Sequence, residues 1–234
     1  MAIEIKARIK EVIQRNYNVK SIRLEIPGVM DFKAGQFLLV KLQDDLRLKK
    51  YLSISSSPTE KYYLEFTKKL TESDFSKALD NLRVGDQVTI QYPFGKFVLD
   101  ESFSKIAFLS GGIGITPIRS ICKYVVDNNL GSDIVLVYAN RFVKDVVFKE
   151  DFEAWMKSYP ALRVVHVLSE TEPGFKCTVG RINREIIKNE ISDYRERKFY
   201  LCGPPQMVEA MRKLLAEELE VSPEMIVTEN FQGY

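Results

Sequence analysis

Histidine and cysteine are scarce, with one His and three Cys in 234 residues. The cysteines, Cys122, Cys177 and Cys202, stand far apart and form no C-x-x-C pair. The chain therefore cannot build a structural zinc site or a four-cysteine iron–sulfur cluster from its own side chains. An odd, sparse set suits reduced thiols and a cytoplasmic location. A Ser-His-Asp or Cys-His mechanism would have to run through His166, which sits in the apolar run "LRVVHVLS" and reads as a strand histidine. No apolar run approaches the ~20 residues of a spanning helix. The N-terminal "MAIEIKARIKEVIQ" alternates apolar and polar residues and lacks the apolar centre of a signal peptide. Charge of one sign is also missing: residues 1–100 hold 17 Lys/Arg against 13 Asp/Glu, and the remainder 17 against 19. That asymmetry is too weak for a nucleic-acid surface.

What is present divides the chain in two. The runs "IEIKARIKEVIQ", "VKSIRLEIP", "QFLLVKL", "KYLSISSSP", "YYLEFTKK" and "DQVTIQYP" alternate or are rich in β-branched residues. Turn signals separate them at Pro27-Gly28, Ala34-Gly35, Gly85-Asp86 and Pro93 with Gly95. The pattern predicts a six-stranded antiparallel β-barrel over residues 1–101, with one short helix at 73–81. From residue 102 to 234 the period changes. Strands "KIAFLS", "DIVLVYAN", "LRVVHVLS" and "KFYLCG" alternate with four helical segments, predicting an α/β domain with a parallel sheet. The first helix, "PIRSICKYVVDNNLG", is read with Pro117 at its first position and an apolar stripe of Ile118, Ile121, Cys122 and Val125.

Three stretches carry chemistry. In "FLSGGIGITP", Gly111, Gly112, Gly114, Thr116 and Pro117 lie between a strand and a helix, the context in which a glycine turn holds a dinucleotide pyrophosphate. The helix start offers unpaired amides, and Thr116 is placed to cap the helix or to donate to phosphate. The acid that holds an NAD ribose is expected at the end of the next strand. That strand ends instead in Ala139-Asn140-Arg141. Arg141 either meets a 2′-phosphate or faces solvent, so NADH and NADPH both stay open. "FYLCGPPQMV" sets Cys202, Gly203 and Pro204 at a strand end that faces the same crevice, unless Cys202 is a buried structural cysteine. "KKYLSISSSP" places hydroxyls behind Lys49 and Lys50, either for an anionic, ring-bearing ligand or as a polar strand edge.

Together these stretches resemble the ferredoxin–NADP reductase superfamily over nearly the whole chain. Lys50-Tyr51-Leu52-Ser53 aligns with its R-x-Y-S flavin motif, Gly112 to Pro117 with its G-x-G-x-x-P turn, and Cys202 to Pro205 with C-G-P-P. The resemblance implies an NAD(P)H-dependent flavoprotein reductase without an iron–sulfur domain. Hydride from NADPH or NADH would pass to FAD, or FMN, and the electrons on to a separate ferredoxin, flavodoxin or oxygenase component. It implies catalytic roles for Ser53, Cys202 and Glu229. Flavin contacts would come from Lys50, Tyr51, Leu52, Ser53, Phe66, Thr67 and Lys68, and from the helix start at Ser73, Asp74, Phe75 and Ser76. NAD(P) contacts would come from Gly111, Gly112, Gly114, Thr116, Pro117, Asn140, Arg141, Cys202, Gly203 and Pro204, with a C-terminal cover from Phe231 and Tyr234. Neither metal, nor nucleic acid, nor a membrane span is implied. Lys50 replaces the family's arginine, Leu52 its tyrosine and Ser73 a glycine, all of which bear on flavin affinity. Weaker holding would suit a reductase that releases free reduced flavin. A non-catalytic redox or nucleotide-sensing subunit is the third option.

Overall fold

A computed structural model describes residues 2–26, 31–42 and 47–230. The chain falls into two compact units, residues 1–99 with Arg119–Asp127, and residues 100–118 with 128–234.

The first unit contains β1 (Ile3–Asn16), β2 (Val19–Glu25), β3 (Phe37–Lys41), β4 (Lys49–Ser53), β5 (Leu64–Lys69), the short helix α1 (Asp74–Asp80) and β6 (Gln87–Phe94). The strands run in the order β4-β3-β6-β1-β2-β5, every pair antiparallel. A bridge between Ile54 and Phe66 joins the two outer strands and closes the six-stranded barrel. Alternation sets the register. Ala7 and Ile9, Ile22 and Leu24, Leu38 and Val40, Leu64 and Phe66, and Val88, Ile90 and Tyr92 share one core. A slip of one residue in any strand would turn its apolar set to the outside. Phe75 and Leu79 of α1 join the same core.

The intervening residues of β5 face the other way. Glu65 is fully buried and accepts hydrogen bonds from Arg15 (2.9 Å), Arg23 (2.9 Å) and the Ser55 hydroxyl (2.9 Å). A buried carboxylate is tolerated only with such partners. Here they tie β1, β2 and β5 to the loop that follows β4.

The second unit holds β7 (Lys105–Gly111), the start of α2 (Ile115–Asn128), β8 (Asp133–Asn140), α3 (Lys149–Ser158), β9 (Leu162–Leu168), β10 (Thr178–Val179), α4 (Arg184–Glu190), β11 (Lys198–Gly203), α5 (Pro205–Lys213) and β12 (Ile226–Asn230). Its sheet has the order β10-β9-β8-β7-β11-β12 and is parallel throughout. The sequence pattern marks four of these strands. The edge strands β10 and β12 are too short, or too mixed in polarity, to announce themselves. Ile186 and Ile187 of α4 and Val208 and Met211 of α5 pack on Leu109, Val137 and Leu201 of the sheet. Arg197, 4% exposed, donates to the Ile106 and Asp133 carbonyls (3.1 Å each) and pairs with Asp133 (2.8 Å) and Asp193 (2.6 Å).

One expectation is corrected. α2 begins at Ile115 behind a 3₁₀ turn at Gly112–Gly114, so Pro117 is its third residue and not its first. The ring is tolerated there because the amides of a first helical turn have no intrahelical acceptor. Ile118, Ile121, Cys122 and Val125 are all fully buried, as their spacing requires.

Candidate functional site

The two strand-end motifs of the second unit touch each other, because β7 and β11 are adjacent and Cys202 lies opposite Ser110. A Cβ on Gly114 would sit 2.3 Å from the Cys202 carbonyl oxygen and 2.7 Å from the Gly203 Cα. One on Gly203 would sit 3.1 Å from the Gly111 amide, and one on Gly111 would sit 2.3 Å from the Met207 sulfur. These three glycines let the protein meet itself. Gly112 differs: its φ is +53°, and a Cβ there would meet nothing within 4 Å. Gly112 alone of these presents open, left-handed backbone, at the head of the 3₁₀ turn that leads into α2, and close approach of a pyrophosphate requires such backbone.

The turn is held from the neighbouring strand. The buried Tyr138 hydroxyl donates to the Gly112 carbonyl (3.1 Å) and accepts from the Val147 amide (3.3 Å). Thr116 is buried inside the helix and donates to the Ile113 carbonyl (3.0 Å), so it does not cap α2. The 3₁₀ turn has moved the helix start upstream of it.

Strand registers set Glu229, Cys202, Ser110, Tyr138 and His166 in one lateral row across β12, β11, β7, β8 and β9. Burial pushes the Glu229 carboxyl up to about 7. Burial, and then the nearby Glu229, push the Cys202 thiol well above its usual range. The Ser110 hydroxyl is fully buried without a partner among the described residues. His166 is half-buried between Tyr138 (6.0 Å) and Phe175 (5.1 Å). Burial and then Lys149 lower its pKa, which keeps it neutral, as befits a strand residue. No three His, Cys, Asp or Glu among the described residues come together to hold a metal.

At the end of β8, Asn140 is 8% exposed and Arg141 reaches out over the Phe142 ring (4.9 Å). Glu170, just beyond β9, pairs with Arg141 at 3.5 Å. Sequence reasoning missed Glu170. Its only signal is an acid after a predicted strand, which means nothing until β8 and β9 are known to be neighbours.

In the barrel unit, Lys50 is half-buried and Ser53 3% exposed. Leu52, Phe66 and Phe75 belong to the barrel core. Tyr51 is 58% exposed on the opposite side of β4, edge-on to Phe37 (5.5 Å) and Phe94 (5.8 Å), and is not brought together with Lys50 and Leu52. The Thr67 hydroxyl is bonded to Ser21 (2.6 Å) and Ser55 (2.8 Å). Lys68 is 5% exposed, and its pKa is pushed down to about 8, first by burial and then by Lys50 and Lys69. Such crowding of cations fits an anionic ligand, which would relieve it. At the start of α1 the Ser73 hydroxyl accepts from the Ser76 amide (3.3 Å), Ser76 is buried and Asp74 is exposed. Ser73 is therefore the helix cap. Phe231 and Tyr234 lie outside the described residues.

Two known families match the chain in turn. The oxidoreductase FAD-binding domain family matches residues 5–99, and the oxidoreductase NAD-binding domain family matches residues 108–213. The chain is 31% identical over 221 residues to the glycine betaine monooxygenase reductase subunit of Chromohalobacter salexigens, covering 89% of this chain and 59% of that one. It therefore spans well under two thirds of that relative. It is 29% identical over 220 residues to NADH-cytochrome b5 reductase 1 of Aspergillus terreus, covering 88% and 74%. The solved ferredoxin NADP+ reductase of Neisseria gonorrhoeae, with bound FAD and NADP, superposes with a TM-score of 0.83 at 20% identity, covering 97% and 98%.

Proposed function

Since the chain belongs to the ferredoxin–NADP reductase-like oxidoreductases, with an FAD-binding and an NAD-binding domain, we propose that it is an NAD(P)H-dependent flavoprotein reductase serving a separate electron acceptor in the cytoplasm. The flavin domain is assigned to residues 1–101 and the dinucleotide domain to 102–234. The acceptor class, an oxygenase component or a small electron carrier, is suggested by relatives that are themselves reductase components. No helix among the described residues is long and apolar enough to cross a membrane.

The observation that carries this reading is the contact of the Gly112–Gly114 turn with Cys202 and Gly203 at the ends of adjacent strands. Two motifs far apart in sequence form one ligand-facing edge. FAD supplies the chemistry when bound, accepting electrons in a pair and releasing them singly or as a pair. Lys50 and Lys68 neutralise its phosphates, and Ser53 donates a hydrogen bond to its ring. Gly112 and the amides of the 3₁₀ turn that it opens hold the dinucleotide pyrophosphate. Cys202 shapes the nicotinamide pocket, and Glu229, its carboxyl pKa raised by burial, keeps a proton beside it.

The test is a visible spectrum of the purified protein, with FAD added where needed, during anaerobic titration with NADH or NADPH. A flavin band that bleaches with one nucleotide is expected, followed by reoxidation with an artificial acceptor. FAD that neither nucleotide bleaches in the presence of the protein would refute the reading. A second reading, release of free reduced flavin, is favoured by Leu52, which lies in the barrel core and offers no ring to stack on flavin. Complete loss of flavin on gel filtration would select it.

A further inference from the structure

The segment that follows β4 is held by α2, which from Arg119 to Asp127 belongs to the barrel unit. The Arg119 guanidinium is buried, donates to the Ser55 carbonyl (2.7 Å) and pairs with Glu60 (3.0 Å). The next residue, Ser120, donates its hydroxyl to the Ser56 carbonyl (2.6 Å). Glu60 in turn accepts from the Ser57 amide (2.7 Å) and from the Tyr63 hydroxyl (2.7 Å). Burial works against the Glu60 charge, but Arg119 and these hydrogen bonds outweigh it and hold the carboxyl below its usual range. Ser55 is fixed from a second side. Its amide donates to the Glu65 carbonyl (2.7 Å) and its hydroxyl to the Glu65 carboxylate (2.9 Å). Ser55, Ser56 and Ser57 are all fully buried. No regular ladder holds them, since β4 ends at Ser53 and Ile54 makes only an isolated bridge to Phe66. Buried carbonyls outside a ladder need other donors, and α2 supplies two.

We infer that Arg119, with Glu60 as its counter-ion, is a positioning residue for the flavin: by fixing the segment from Ser55 to Ser57 it sets the direction of the Ser53 hydroxyl. The inference rests on the Ser53 contact proposed above. Ser53 ends β4 only two residues before Ser55. A hydrogen bond weakens steeply as its angle closes, so a strand end left free to turn would lose its bond to the ring. An arginine suits the task because its planar fork reaches Ser55 and Glu60 at once. The single ammonium of a lysine does not keep both. The charge of Arg119 is met by Glu60, so the residue acts through geometry and not as a further cation beside the flavin.

Titration of the flavin-free full chain with FAD, followed by flavin fluorescence, tests the inference through a cycle of variants without redox turnover. Ser53→Ala should weaken FAD binding about 10-fold, the size of one hydrogen bond. Arg119→Lys should weaken it about 3- to 10-fold in the wild-type chain, and by less than about 2-fold in the Ser53→Ala chain. Glu60→Gln should follow Arg119→Lys in both chains. Should Arg119→Lys fail to fold, Ser120→Ala, which removes only the bond to Ser56, enters the same cycle. Losses that multiply in the double variant overturn the inference, because Arg119 would then act without Ser53. So does an Arg119→Lys variant that melts earlier yet binds FAD within about 2-fold of wild type, the mark of a purely structural role. If Ser53→Ala itself binds FAD within about 2-fold of wild type, the Ser53 contact fails and this inference with it, while bleaching of the flavin by NADH or NADPH still upholds the reductase reading.

Discussion

Gly114 and Gly112 are two residues apart, and the structure predicts opposite consequences for the same substitution. In Gly114→Ala the new methyl falls 2.3 Å from the Cys202 oxygen, 2.6 Å from its carbonyl carbon and 2.7 Å from the Gly203 Cα. All three are backbone atoms of a central strand end, so no side chain can swing aside. Overpacking of this kind costs about 3 kcal/mol or more. For a chain of this length that lowers the melting temperature by roughly 6–12 °C. In Gly112→Ala the methyl meets nothing, and the penalty is only that of a left-handed residue, about 1 kcal/mol or a little more. The methyl does, however, occupy the space where the pyrophosphate is proposed to sit. Thermal melts and ADP-ribose titrations of both variants separate the effects. Gly114→Ala should lose stability, while Gly112→Ala should keep its fold and lose nucleotide affinity. Equal melting shifts, or a Gly114→Ala variant within about 2 °C of wild type, would refute the reasoning.

Three further outcomes are expected. Glu229 holds its proton up to about pH 7 in the fold, against an ordinary 4.5. Between those values the unfolded chain binds fewer protons than the native one, so stability should fall as pH rises through that window. Glu229→Gln should flatten this dependence of the melting temperature and remove the break near pH 7 from the rate of flavin reduction. Lys68 titrates near pH 8, below its ordinary 10.5, so FAD binding to the apoprotein should weaken as pH rises from 8 to 10. Lys68→Met should bind FAD weakly with no such pH dependence, as read by fluorescence quenching. Arg197→Met would remove the donor shared by two carbonyls and two carboxylates at the foot of the parallel sheet, with Asp193 keeping its pair with Lys105 (3.1 Å). A loss of about 1–3 kcal/mol is expected, that of buried carbonyls left unsatisfied, measured by chemical denaturation.

Much of this protein is local and was legible in its sequence. The barrel strands are written in alternation, since each has one face in the core: Ile22 and Leu24, Val88 and Ile90. The α2 stripe is written in helical spacing, and all four of its residues are fully buried. The glycine turn between β7 and α2 was recognisable because strand, turn and helix are contiguous. The roles within that turn were not. Sequence treats Gly111, Gly112 and Gly114 alike, whereas only Gly112 opens outward, and the other two make room for Met207 and for Cys202 with Gly203. Thr116 read as a cap until the 3₁₀ turn moved the helix start. Strand order, too, had to come from the fold. It makes β11 the neighbour of β7, adds β12 beside β11 so that Glu229 faces Cys202, and sets the end of β9 against that of β8. Patterns of two and of 3.6 residues decide which face of an element is buried, because burial depends on direction along one element. They say nothing about which element lies alongside, and the pairing of Arg141 with Glu170 exists only through that neighbourhood.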